Sequence, residues 1–146
     1  MAVPTAVAIA VTFVWLGMVL AISFLEAPLK FRAPGVTLAV GLGIGRLVFL
    51  VLNTVECVLA VVLAVTLLLD RPHGPAWWWA LVAVASLLVQ VALVRPRLKR
   101  RTDAVLASDD PDSVPRSSAH HWYIVTEGTK VIGLVATGVL LLAHAA

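Results

Sequence analysis

Seven ionisable or strongly polar side chains lie inside stretches that are otherwise apolar, and their spacing gathers them on two faces. Arg46, Asn53 and Glu56 are seven and three positions apart. At about 100° per residue, those steps keep all three on one stripe of a helix. His120, Tyr123, Glu127 and Lys130 follow steps of three, four and three and share a second stripe, with His121 about 100° around from it. An ionised group facing hydrocarbon at mid-bilayer costs at least ~2.5–3.5 kcal/mol. Both stripes are therefore expected to face protein or enclosed water.

The two stripes also match in depth. At 1.5 Å per residue, Glu56 lies about 15 Å beyond Arg46, and Glu127 and Lys130 lie about 9 Å and about 13–14 Å inward from a boundary near His121. Glu56 and Lys130 are thus expected to form a buried ion pair. Glu127 is free to pair with Arg46 or to share Lys130, and Glu26 enters from the end of the first apolar stretch. As a ligand site the set is Glu26, Arg46, Asn53, Glu56, His120, Tyr123, Glu127 and Lys130. Arg46 and Lys130 would supply positive charge, Asn53 and Tyr123 hydrogen bonds, and Glu56 and Glu127 the balancing carboxylates. That chemistry suits binding or transport of a small anionic or amphipathic molecule.

Two other readings compete. A membrane oxidoreductase or oxygenase would use Glu56 and Glu127 with His120 or His121, a ligand set suited to iron, manganese or zinc. No span contains Glu-x-x-His, His-x-x-x-His or Cys-x-x-Cys, the spacings that set ligands from one helix side by side, and Lys130 would oppose a cation. The third reading is a structural subunit whose polar groups only hold the helices in register. The number of ionisable groups at one end exceeds what registry requires, and buried ion pairs add little net stability. No cofactor is specified by the sequence. Gly41-x-Gly43-x-Gly45 follows no strand and is not a dinucleotide fingerprint.

The elements that must position these residues are apolar helices. Of 146 residues, 61% are hydrophobic and 13% charged, and the mean hydropathy of +1.01 excludes an ordinary soluble domain. Four apolar runs, about 4–25, 38–69, 76–94 and 122–143, are long enough to be membrane spans. The fold expected is an all-α membrane protein, an antiparallel four-helix transmembrane bundle forming one domain over 1–146. Residues 1–25 lack a basic leader and read as a true first span. Pro28 should bend or end the first helix, leaving 24–33 as an interfacial segment. Pro34-Gly35 marks a turn, and Gly41 and Gly45 allow close helix contact. Trp77, Trp78 and Trp79 suit the interfacial aromatic belt. With only Ser86 and Gln90 as polar residues, the third span reads as a scaffold. Cys57 is expected to be a small buried hydrophobe, and His73 and His144 plain interface residues.

Connections 26–37 and 95–121 carry Lys30, Arg32, Arg95, Arg97, Lys99, Arg100, Arg101 and Arg116, whereas the connection after the second span carries only Arg71. Positive-inside bias makes the two basic loops cytoplasmic and puts both termini outside a cytoplasmic (inner) membrane. The basic half of 95–121 should lie at the anionic leaflet, while its acidic, proline-bearing half has a disordered composition. The net charge of +3 is explained by these loops, so the partners expected are the lipid bilayer, a small ligand, and a homo-oligomer or larger membrane complex, not nucleic acid.

Trp15-Leu16-Gly17 with Ala27-Pro28 and Phe31-Arg32 around the end of the first span, Arg95-Pro96-Arg97 after the third, and a polar start to the fourth form a layout. That layout resembles the small four-helix membrane proteins of unknown function related to the cisplatin-resistance-associated transmembrane protein. A looser likeness, in helix layout only, is to four-span anthrone oxygenases. The first resemblance implies a four-helix membrane fold, and neither carries an active-site residue onto this chain.

Overall fold

The computed structural model describes residues 1–71, 74–115 and 118–146, so the expectations placed on His73 and Arg116 fall outside the described residues. The chain is helical, with no strand among the described residues. Four helices are long and apolar enough to cross a membrane: α1 (Val3–Arg32), α2 (Leu38–Leu69), α3 (Ala76–Ala107) and α4 (Ala119–Ala145).

Each boundary has a local cause. Pro4 sits in the first turn of α1, where its missing N–H costs nothing. The connection to α2 turns at Gly35, whose φ of +80° suits a residue without a Cβ. Thr37 then caps α2, its hydroxyl oxygen accepting the Val40 N–H at 3.3 Å, which satisfies one of the free donors of a first turn. At the far end, Asp70 accepts a hydrogen bond from the Thr5 hydroxyl and so ties the end of α2 to the start of α1.

Two prolines lie inside helices that continue past them. Pro28 does not end α1, and Pro96 does not begin a loop, because the helix in each case widens just upstream. Residues Leu20–Glu26 and Gln90–Val94 form π-helical segments, in which Ala27 N–H reaches Ile22 O and Arg95 N–H reaches Gln90 O. A π turn admits one more residue than an α turn and opens the backbone where a proline ring would otherwise strike the preceding turn. The chain then continues helically, to Arg32 in α1 and to Ala107 in α3. The basic run expected in a loop is therefore a helical extension of the third span. Among the described residues of this connection, those from Ser108 on are non-helical or 3₁₀, with one 3₁₀ turn at Pro111–Ser113.

The four helices pack as a ring in chain order: α1 on α2, α2 on α3, α3 most extensively on α4, and α4 back on α1. Gly133 sets the α3–α4 approach, since a Cβ there would lie 3.0 Å from both the Ala83 N and the Trp79 O. The apolar core runs from Ala8 through Trp15, Val19, Leu63, Leu87 and Leu134 to Leu141. Gly41 and Gly45 admit side chains from the end of α1, the Phe31 ring and the Lys30 ammonium, rather than another backbone. Cys57 is exposed, contrary to expectation, because it lies one position and so about 100° off the inward stripe that holds Glu56. Trp78 is exposed at 68%, whereas Trp77 packs against the core.

Candidate functional site: a buried ion network

Glu56, Glu127 and Lys130 meet in the centre of the ring, each no more than 1% exposed. Lys130 reaches across from α4 to Glu56 on α2, joining two helices that are not neighbours in the ring. Its ammonium also donates to Gln90 Oε1 at 2.7 Å and lies 3.0 Å from Glu127 Oε2. The ammonium thus has two hydrogen-bond acceptors and a second carboxylate in ion-pair contact, as a buried cation requires.

The carboxylates are equally well served. Glu56 Oε1 accepts the Trp15 indole N–H at 2.9 Å as well as Lys130. With the Asn53 amide turned so that its nitrogen meets acceptors and its oxygen a donor, Glu56 Oε2 accepts from it at 3.3 Å, and Asn53 donates to Phe49 O at 3.1 Å and accepts from Arg95 at 3.0 Å. Glu127 Oε2 accepts the Gln90 amide, and its Oε1 accepts the Ser23 hydroxyl at 2.5 Å. Ser23 Oγ is also 3.0 Å from the Tyr123 hydroxyl. Tyr123 in turn sets its ring edge-on to Phe49 at 5.4 Å. Arg95 closes the rim, donating to Phe49 O at 2.7 Å.

Each helix contributes: Trp15 and Ser23 from α1, Asn53 and Glu56 from α2, Gln90 and Arg95 from α3, and Tyr123, Glu127 and Lys130 from α4. The formal charges balance, two carboxylates against one ammonium and one guanidinium. Both π segments matter here, because Ser23 lies in one and Gln90 in the other, and the two grip opposite oxygens of Glu127.

Of the residues proposed from the sequence, Asn53, Glu56, Tyr123, Glu127 and Lys130 are brought together. Arg46 is not. It remains exposed and pairs with Asp103 on the helical extension of α3 at 2.7 Å, because that extension supplies a carboxylate where a loop was expected. Glu26 also stays outside, 3.5 Å from Lys30 on its own helix. His120 and His121 are exposed at the start of α4, with ring centroids 6.4 Å apart. The candidate metal set of Glu56, Glu127 and His121 therefore does not converge, and no group of three such donors is gathered among the described residues.

Trp15, Ser23, Gln90 and Arg95 were missed as site residues. Trp15 carries its N–H at mid-span instead of in an interfacial belt, and Gln90 is a lone amide in an apolar run; each is a donor that must find a partner. Ser23 carries no comparable signal, and Arg95 reads as one more loop cation. Arranged this way, the network can hold four charges and pass hydrogen bonds from Tyr123 through Ser23 to Glu127. Two open surface grooves lie on the bundle, one lined by Val82, Ala85, Ser86, Val89, Thr126 and Thr129 and one between α1 and α2. No protein-family model, curated protein or solved structure matches this chain.

Proposed function

We propose that the chain is an antiparallel four-span bundle of the cytoplasmic membrane, with both termini outside. In this reading the Glu56–Lys130–Glu127 network is the closed form of a site that binds, or helps transport, a small anionic or amphipathic molecule from the cytoplasmic side. Support for insertion comes from the perimeter, where Leu47, Val51, Val61 and Ile132 are each more than 60% exposed; a water-soluble monomer rarely presents so continuous an apolar surface. The observation that carries the binding reading is the position of Lys130 between two carboxylates. A ligand anion can replace either Glu56 or Glu127 as its partner without stranding the ammonium, and Arg95 at the rim offers a second cation along the way.

A second reading, a structural subunit of a membrane complex, is favoured by the engagement of Lys130 with Glu56, Gln90 and Glu127 at once and by the absence of a network residue from the lining of either groove. Asn53 and Tyr123 separate the two readings, because both are neutral. For a binding site, Asn53→Leu and Tyr123→Phe leave protein levels intact but weaken function in any cellular assay that the gene deletion fails. One lost neutral hydrogen bond is worth about 0.5–1.5 kcal/mol, a few-fold to about tenfold in affinity. Wild-type behaviour of both variants at equal protein levels would leave the structural reading.

A further inference from the structure

The two buried carboxylates differ in what their oxygens touch. Glu56 accepts from groups that cannot reverse the bond. Oε1 meets the Trp15 N–H and the Lys130 ammonium, and neither has a lone pair to offer. Oε2 meets the Asn53 nitrogen, and Asn53 could accept a proton there only by turning that nitrogen onto the Arg95 guanidinium. Glu127 Oε2 is fixed in the same way, because Gln90 keeps its oxygen toward Lys130 and so its nitrogen toward Glu127. Among the described residues, only the fourth oxygen, Glu127 Oε1, meets a hydroxyl, that of Ser23 at 2.5 Å. Ser23 Oγ in turn lies 3.0 Å from the hydroxyl of Tyr123.

Hydroxyls both donate and accept, so this short chain can run in either direction. With Glu127 ionised, Tyr123 donates to Ser23 and Ser23 to Glu127. With a proton on Oε1, Glu127 donates to Ser23, Ser23 to Tyr123, and Tyr123 turns its own O–H outward. The change takes up one proton at the Tyr123 oxygen, passes one from Tyr123 to Ser23 and one from Ser23 to Glu127, and alters no other bond. Tyr123 is partly exposed, whereas Glu127 is 1% exposed. The hydroxyls thus lead into the core without a cavity, a route suited to a proton.

The charges around Glu127 favour that uptake. From α4, Lys130 lies 3.0 Å from Oε2, and from α2, Glu56 shares the same ammonium. α3 brings neutral Gln90, with Arg95 out at the rim on Asn53 and Phe49 O. α1 brings neutral Trp15 and Ser23, while its Glu26 faces Lys30 instead. The fully buried charges, two carboxylates and one ammonium, therefore sum to minus one, which is costly away from water. One proton on Glu127 cancels that excess and leaves Lys130 to Glu56.

We infer that Glu127 is a proton-binding site loaded through Tyr123 and Ser23. The site stands on hydrogen-bond geometry and requires no bound anion. Full-length protein in detergent is followed by infrared difference spectroscopy as the pH is stepped from neutral toward acid, over the range in which circular dichroism shows it folded. Beyond the bands of exposed carboxyls, a carboxyl C=O band that shifts in heavy water should appear in wild type and in Glu56→Gln and be lost in Glu127→Gln. After a pH jump, that band should rise at least about tenfold more slowly in Tyr123→Phe and in Ser23→Ala, the factor equivalent to one hydrogen bond lost from the relay. A band kept in Glu127→Gln, a band lost only in Glu56→Gln, no such band at any pH at which the protein is folded, or unchanged rates in both relay variants would each overturn the inference. Should Glu127→Gln fail to fold, Ser23→Ala decides the site. It removes the group that accepts the Glu127 proton and must shift the band, and an unshifted band would place the proton elsewhere.

Discussion

Lys130 is the residue on which the network depends most. It is the ammonium that both carboxylates share, whereas Glu56 shares its cation with Glu127. Removing Glu56 therefore leaves Lys130 paired, but removing Lys130 leaves two carboxylates facing each other in a dry interior. Lys130→Met should cost about 3–5 kcal/mol, in line with breaking a buried pair from one side. Glu56→Gln should cost about 1–3 kcal/mol, the range for buried groups that lose a partner. The double variant should recover part of the Lys130→Met loss, and a double-mutant cycle in detergent by thermal or denaturant unfolding reads the coupling. Additive losses would show that the two groups do not interact. By contrast, the Arg46–Asp103 pair is nearly half exposed on each side, and Arg46→Ala should change stability by less than about 1 kcal/mol. The sequence already placed Asn53, Glu56, Tyr123, Glu127 and Lys130 on facing stripes, since a 100° step is all that α2 and α4 need. It misassigned Arg46 for a different reason, because its partner Asp103 lies beyond a proline that looked like a helix end.

The π segments explain most of what the helical pattern could not show. In α1 and α3 a constant angular step fails at Leu20–Glu26 and Gln90–Val94, so Ser23 and Gln90 cannot be phased against Trp15 or Ser86 from spacing alone. The four long apolar helices themselves were plain from composition, because nothing but a run of aliphatic residues is needed to signal them. The widened turns also make a prediction. Deleting Ala21 shortens the first segment toward a regular α-helix, which local propensity favours, yet it swings Ser23 away from Glu127 and should lower the unfolding temperature. An unchanged or raised value would mean that Ser23 contributes nothing through Glu127. Helix contact is equally specific at the glycines. Gly133→Leu must push into the α3 backbone and should cost about 1–3 kcal/mol. Gly128→Ala, with nothing within 4 Å of the new methyl, should be neutral or stabilising by up to about 1 kcal/mol.

For the molecule as a whole, the proposed topology sets the experiment. In a Cys57→Ser background, cysteines placed at Gly74 and at Ser108 should label oppositely with an impermeant thiol reagent on intact cells, Gly74 being the accessible one. Labelling at 108 and not at 74 would invert the topology and close the proposed cytoplasmic entrance. The link from Lys130 to Glu56 has a further consequence, which concerns time. The two residues are 74 positions apart, and at about 5–20 residues per second of synthesis Glu56 emerges several seconds before its cation exists. During that interval Trp15 and Asn53 are the partners it has from the network, since Lys130 has yet to be made. If the chain inserts as proposed, a nascent second span holding an uncompensated carboxylate will resist release into lipid, so the first two helices should linger at the insertion machinery until the fourth arrives. Chains stopped after α3 should then be degraded far faster than the full protein, and Glu56→Gln should lengthen the life of those truncated chains even though it weakens the finished one.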